Sequence, residues 1–259
     1  MRRLSAIVIA AISGIAFGQV ASAADLPVKA PVYKAPIVAR YNWTGFYVGG
    51  NIGYSWGKGD TNVVDPGLAP APTSYPISLK LDGLIGGGQI GYNFQIDPSW
   101  VVGLEADIQG SAEKNSSNRS DPNCPDGCIS TLNQTRDAKI LWFGTVRGRA
   151  GFLVTPTMLL YATGGLAYGE VSVSGVGTTD FFGGLAFSGS KTNFGWTVGG
   201  GLEGAFPNSR DWTWKVEYVY LDLGSIDGTG VDTMGPNPFT WSAKFTDNIL
   251  RVGVNYRFH

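Results

Sequence analysis

Phe46-Tyr47-Val48-Gly49-Gly50-Asn51-Ile52-Gly53-Tyr54-Ser55-Trp56 alternates without a break between two kinds of residue. Phe46, Val48, Gly50, Ile52, Tyr54 and Trp56 are apolar, aromatic or glycine, while Tyr47, Gly49, Asn51, Gly53 and Ser55 between them are polar or small. A period of two is that of an extended strand, whose successive side chains point to opposite faces. The same alternation returns in Gly83–Ile96, Trp100–Gln109, Ile140–Phe152, Met158–Gly169, Phe194–Phe206, Trp212–Leu221 and Ile249–Phe258. In every one of these segments the even-numbered residues carry no charge. The odd-numbered ones include Glu105, Asp107, Arg147, Arg149, Glu203, Lys215, Glu217, Arg251 and Arg257. One face that admits no charge, opposite one that admits many, is the pattern of a strand standing between lipid and a polar barrel interior. On this frame Val146 faces lipid and Thr145 faces the lumen.

The connections support the same architecture. Asp97-Pro98-Ser99, Thr155-Pro156-Thr157 and Pro207-Asn208-Ser209-Arg210-Asp211 are brief and rich in turn residues. Gly57–Asp82, Gly110–Lys139, Glu170–Asn193 and Asp222–Asn248 are long, and short and long connections alternate along the chain. Tight turns at one end and larger loops at the other are the habit of up-and-down barrels in outer membranes. A strand of about 11 residues, rising roughly 3.3 Å per residue and tilted some 45°, covers about 25 Å, the height of the apolar band. The expected fold is therefore all-β: an eight-stranded antiparallel up-and-down transmembrane β-barrel occupying residues 43–259. Trp100, Trp142, Trp196, Trp212 and Trp214, with Tyr54, Trp56, Tyr92 and Tyr168, fall near strand ends, where two aromatic girdles are expected at the headgroup level.

Residues 1–23 read as an export signal. Arg2 and Arg3 precede the mostly apolar Leu4–Gly18, and Ala21-Ser22-Ala23 has the small residues that a signal peptidase cuts after. Residues 24–42 follow as a Pro-rich periplasmic segment, with Pro27, Pro31 and Pro36 interleaved with Lys29, Lys34 and Arg40. Proline at this density favours an extended, solvated chain. Export also bears on the two cysteines. Cys124 and Cys128, in Cys-Pro-Asp-Gly-Cys, are expected to oxidise to a small loop-closing disulfide.

Charged residues make up only 15% of the chain, against about a quarter in an ordinary soluble domain, and the formal net charge is −1. That balance gives nucleic acid no basic patch to bind. The single histidine, His259, removes His-dependent proteolysis and most zinc chemistry, so no cofactor or metal is expected. Glu105 and Asp107, two apart on one face, stand about 7 Å from each other, a spacing compatible with a glycosidase pair. The stronger reading sets them against Arg147 and Arg149 of the neighbouring strand. Glu203, Lys215, Glu217 and Arg251 then complete an ion network in the lumen, because unpaired charge in a narrow interior is costly. Gly86-Gly87-Gly88-Gln89-Ile90-Gly91 and Gly199-Gly200-Gly201-Leu202-Glu203-Gly204 match a dinucleotide fingerprint, but each continues as strand where a helix is required. No enzyme signature survives.

Four stretches, Ala24-Asp25-Leu26-Pro27, Trp43-Thr44-Gly45-Phe46-Tyr47-Val48-Gly49, Trp142-Phe143-Gly144-Thr145-Val146-Arg147-Gly148-Arg149 and the closing Arg251-Val252-Gly253-Val254-Asn255-Tyr256-Arg257-Phe258, carry a family likeness. They resemble the alphaproteobacterial outer-membrane immunogenic proteins, a family of small porin-like barrels. The resemblance implies an OmpA-like barrel in the outer membrane of a Gram-negative bacterium, with surface-exposed loops and a periplasmic N-terminus. It also implies that Tyr256 and Phe258 form a C-terminal signal read by the barrel-assembly machinery, although His259 follows them. The expected role is a surface protein that contributes to envelope structure and contacts outer-membrane lipid and lipopolysaccharide through its loops. The alternative is a narrow channel for small solutes or ions. An eight-stranded interior is about wide enough for side chains alone, which favours the first. Oligomeric state is left open.

Overall fold

The computed structural model describes residues 41–65, 73–121, 132–179, 183–232 and 238–258. The expected signal peptide, most of the Pro-rich segment, Cys124, Cys128 and His259 lie outside the described residues. These form nine antiparallel strands and no helix: β1 (Gly45–Asp65), β2 (Thr73–Gln95), β3 (Trp100–Ser111), β4 (Lys114–Asp121), β5 (Leu132–Thr155), β6 (Met158–Thr179), β7 (Gly183–Ala205), β8 (Trp212–Asp232) and β9 (Pro238–Phe258). Each strand pairs with its sequence neighbour, save that β3 does not pair with β4, and β1 pairs with β9. Because β3 and β4 both pair with β5, and β3–β5 completes the circuit, the ring has eight strands. The third strand is simply interrupted at Ala112-Glu113.

The lipid face is where the alternation puts it. Phe46, Ile52, Leu84, Ile90, Leu104, Val146, Leu160, Leu166, Val198, Val216 and Val252 are all exposed on the outside of the ring. Exposed apolar surface on this scale is the mark of a hydrocarbon solvent. Two belts of ring contacts bound it. Phe46–Tyr92, Trp100–Phe152 and Trp212–Tyr256 lie at the short-turn end, and Trp56–Tyr218, Trp142–Tyr168 and Trp196–Tyr220 at the other. Ile140 departs from the pattern. It is buried in the lumen, because a bulge at Leu141 shifts the β5–β6 register and reverses the parity above it.

The long connections are largely not loops. β1 and β2 stay paired from Gly45↔Asn93 to Asp65↔Thr73, so most of the segment expected as Gly57–Asp82 is ladder. The other three are likewise mostly strand: β4 and β5 pair from Lys114↔Lys139 to Asp121↔Leu132, β6 and β7 as far as Thr179↔Gly183, and β8 and β9 as far as Val231↔Pro238. In this upper half the sides exchange chemistry. Along β9, Leu250, Val252 and Val254 face outward and Arg251 and Asn255 inward, as lipid requires. Above them Thr240 and Lys244 are exposed while Phe239, Trp241, Ala243 and Phe245 are buried inside. The changeover falls between Asn248 and Leu250. It marks the outer surface of the apolar band, above which water replaces hydrocarbon outside. The upper lumen is then free to fill with Val63, Leu79, Leu81, Val171, Val173, Leu221, Leu223 and Ile226. Full burial of each such side chain contributes about 1.5–3 kcal/mol.

Candidate functional site

The lumen is built in three storeys. At the short-turn end, the chain preceding β1 folds under the barrel mouth. Trp43 is fully buried against Val101, Leu153, Leu159 and Tyr161. Its Nε1 donates to the Pro156 carbonyl at 3.1 Å, and its backbone N donates to Gln95 Oε1 at 3.0 Å. Arg257 stands over the rings of Tyr41 and Trp43, 5.1 and 5.2 Å from their centroids, and donates to the Asn42 carbonyl at 2.9 Å. Of the inward charges, Arg257 thus serves the mouth and not the central cluster.

The middle storey gathers the other eight. Arg147 is the hub: Nη2 lies 2.5 Å from Glu105 and 2.9 Å from Asp107, and Nη1 lies 2.9 Å from Glu217. Arg251 lies 2.6 Å from Glu217 and 3.1 Å from Asp107, and Lys215 lies 3.0 Å from Glu105. Arg149 pairs with Glu203 at 2.7 Å, and its guanidinium covers the Tyr161 ring at 4.0 Å. All eight are buried, and four carboxylates meet four cations, so their formal charges cancel. Charges removed from water in this way persist only when paired and further hydrogen-bonded. Polar neighbours on the same inward faces supply those bonds. The Tyr47 hydroxyl donates to Glu105 at 2.8 Å, Thr145 to Asp107 at 2.8 Å, and Thr213 to Glu203 at 2.7 Å. Asn255 donates to Glu203 at 3.1 Å and receives from Gln89 at 2.8 Å.

Glu105 and Asp107 therefore do not form a glycosidase pair facing a cleft. Their oxygens are taken up by cations on three other strands. Thr145 was placed in the lumen by its parity, but the hydrogen-bonding part played by the uncharged members of this storey, Tyr47, Thr145, Thr213, Gln89 and Asn255, escaped the sequence reading because only charge was followed there. Their odd numbering on the same segments was the available signal. The top storey is the apolar core, closed by Phe187, Phe239 and Trp241, whose rings lie 5.4–6.3 Å apart. Tyr256 and Phe258 face outward at the foot of β9, with ring centroids 5.1 Å apart. Phe258 is in register with Phe46 across the seam that closes the ring.

A closed antiparallel ring with an apolar outer belt narrows the comparison to bacterial outer-membrane barrels. The family model described as outer membrane protein beta-barrel domain matches residues 14–258. The chain belongs to that family. It is 36% identical to the 31 kDa outer-membrane immunogenic protein of Brucella melitensis biotype 1, over 98% of this chain and 100% of the relative. It is 32% identical to the 22 kDa outer membrane protein of Rhizobium leguminosarum bv. viciae, over 87% of this chain and 82% of that one. Among solved structures, the outer membrane protein OprG of Pseudomonas aeruginosa aligns with a TM-score of 0.50 at 11% identity, over 85% of this chain and 99% of that one, a likeness of fold alone. The protein is an outer-membrane β-barrel of the immunogenic-protein kind. Its short turns face the periplasm and its strand extensions stand outside the cell.

Proposed function

We propose that this barrel is a non-conducting surface scaffold, which anchors a tall, rigid extension above the outer membrane for contact with lipopolysaccharide and other surface partners. The observation that carries this reading is the filling of the lumen at three successive levels: the Trp43 plug, the Arg147-centred ion cluster and the aromatic-capped core. The alternative, a narrow channel, requires solutes to displace all three, including a fully paired set of buried charges. On the scaffold reading the ion cluster is structural, the chain performs no catalysis and no cofactor is needed. Tyr256 and Phe258 act during assembly as the strand end that the insertion machinery reads. Residues 1–23 are removed on export, and residues 24–42 lead into the periplasm.

Planar-bilayer recording of the purified, refolded protein tests this. A silent bilayer supports the scaffold, and large stable openings would replace it with the channel. The contact with lipopolysaccharide is tested separately, by co-purification of the folded barrel with labelled lipopolysaccharide in detergent.

A further inference from the structure

Just above the outer belt, two carboxyl groups face each other inside the barrel with no cation between them. Glu113 occupies the interruption between β3 and β4, and Asp247 lies on β9; each is 1% exposed. In the ring, β2 and β1 separate the two elements. Glycines clear the way across. Ser55 is in register with Gly83, and a Cβ on Gly83 would stand 2.8 Å from the Glu113 backbone nitrogen; one on Gly57 would stand 2.8 Å from Asp247 Oδ1. Ser55 Oγ donates to Asp247, Ser111 Oγ donates to Glu113 Oε1 at 2.9 Å, and Glu113 Oε2 is buried with no other partner assigned.

Among the described residues, no cation is in contact with either carboxyl. From β1 and β2 the inward neighbours are Ser55, Gly57, Leu81, Gly83 and Ile85, and from β5 they are Ala138, Ile140 and Phe143. Val171 of β6 and Leu221 of β8 complete the apolar side. Lys58, Lys80, Asp82, Lys114 and Lys139 are exposed on the outer face. Asp222 is paired outside with Lys244 at 3.1 Å. The cations next along the inward faces are Arg136, buried two positions beyond Ala138 on β5 with its Nη2 donating to Gln134 Oε1 at 3.1 Å, and Arg147 and Arg251, which are held by Asp107, Glu105 and Glu217 below. Two facing carboxyls in such a place cannot both ionise.

We propose that Glu113 and Asp247 share one proton and form a latch, tying the break in the third strand to the β1–β9 seam, and that loss of this proton releases the outer end of the barrel. Burial, reinforced by the facing Asp247, pushes Glu113 up to about 8, and burial pushes Asp247 up to about 6. A carboxyl whose folded-state pKa lies above its unfolded value binds more protons in the folded chain between those two values. Stability then falls as pH rises through that interval and is greatest below it. The window here runs from the ordinary carboxylate range to about pH 8.

The test is reversible unfolding of the full barrel in lipid vesicles between about pH 5 and pH 9, read alongside the infrared carbonyl band of a protonated carboxyl group. The unfolding equilibrium constant should rise by up to about tenfold per pH unit between about pH 6 and pH 8, the limit for one proton, and more steeply below about pH 6, where Asp247 is protonated as well. Glu113→Gln keeps the hydrogen bond without the titration, so it should flatten this dependence and remove the protonated-carboxyl band at neutral pH. If Glu113→Gln fails to fold, Asp247→Asn serves with a different readout: burial still raises Glu113, but without the facing charge the upper end of its pH dependence should fall below that of wild type. Equal pH dependence in wild type and either variant, or a band that persists in Glu113→Gln, would overturn the latch.

Discussion

Trp43 Nε1 and the Pro156 carbonyl meet at 3.1 Å across 113 residues of sequence, joining the chain before β1 to the turn between β5 and β6. The contact lies beneath the barrel and seals it from the periplasmic side. Trp43→Ala should therefore cost about 3–5 kcal/mol, as for other fully buried large aromatics. Trp43→Phe, which loses chiefly the N–H donor, should cost about 1 kcal/mol. Urea unfolding in vesicles measures both, and equal losses would mean that the ring itself contributes nothing.

The hub of the ion cluster is equally exposed to test. Arg147→Ala leaves Glu105, Asp107 and Glu217 each short of one cation in a buried interior. A loss of about 3–5 kcal/mol is expected, since removal of one member strands the rest. Tryptophan-fluorescence unfolding curves would report it. An unchanged midpoint would show that water reaches these carboxylates.

Val146 and Val176 share an outward orientation and are 50% and 52% exposed, but Val146 lies below the chemical changeover and Val176 above it. Arginine at Val146 should lower stability by about 2–4 kcal/mol, the penalty at the bilayer midplane. Arginine at Val176 should change it by no more than about 0.5 kcal/mol, as on an ordinary wet surface. Similar values for the two variants would remove the assigned boundary.

Cys124 and Cys128 give a covalent prediction. In protein recovered from the outer membrane, mass spectrometry without reductant should find them joined, at the mass two hydrogens below that of the dithiol. Free thiols at both positions would refute the pairing.

The lipid face was legible because hydrocarbon tolerates no charge, and the eight segments inherit that intolerance residue by residue. The short turns were legible from Pro, Asn and Asp. What escaped was the continuation of the strands. Thr240, Ser242, Lys244 and Thr246 alternate with Phe239, Trp241, Ala243 and Phe245 as regularly as any membrane segment, but with polar residues on the parity that carries lipid-facing ones below. Periodicity of two reports which side chains share a face; it does not say which solvent that face meets. Ile140 was assigned to lipid for the same reason, since a single bulged residue reverses parity without breaking the pattern. Glu113 and Asp247 carried no sequence signal at all, lying far apart and meeting only through the closure of the ring.

The exchange of polar and apolar faces on β9 also fixes how deep the molecule rides. A sinking barrel would drag Thr246 and Lys244 into oil; a rising one would lift Leu250 and Val252 into water. Both displacements are penalised around the circumference, so the wall carries its own waterline. The height at which the extension stands clear of the lipid is thus written into the strands, and needs no outside partner to set it.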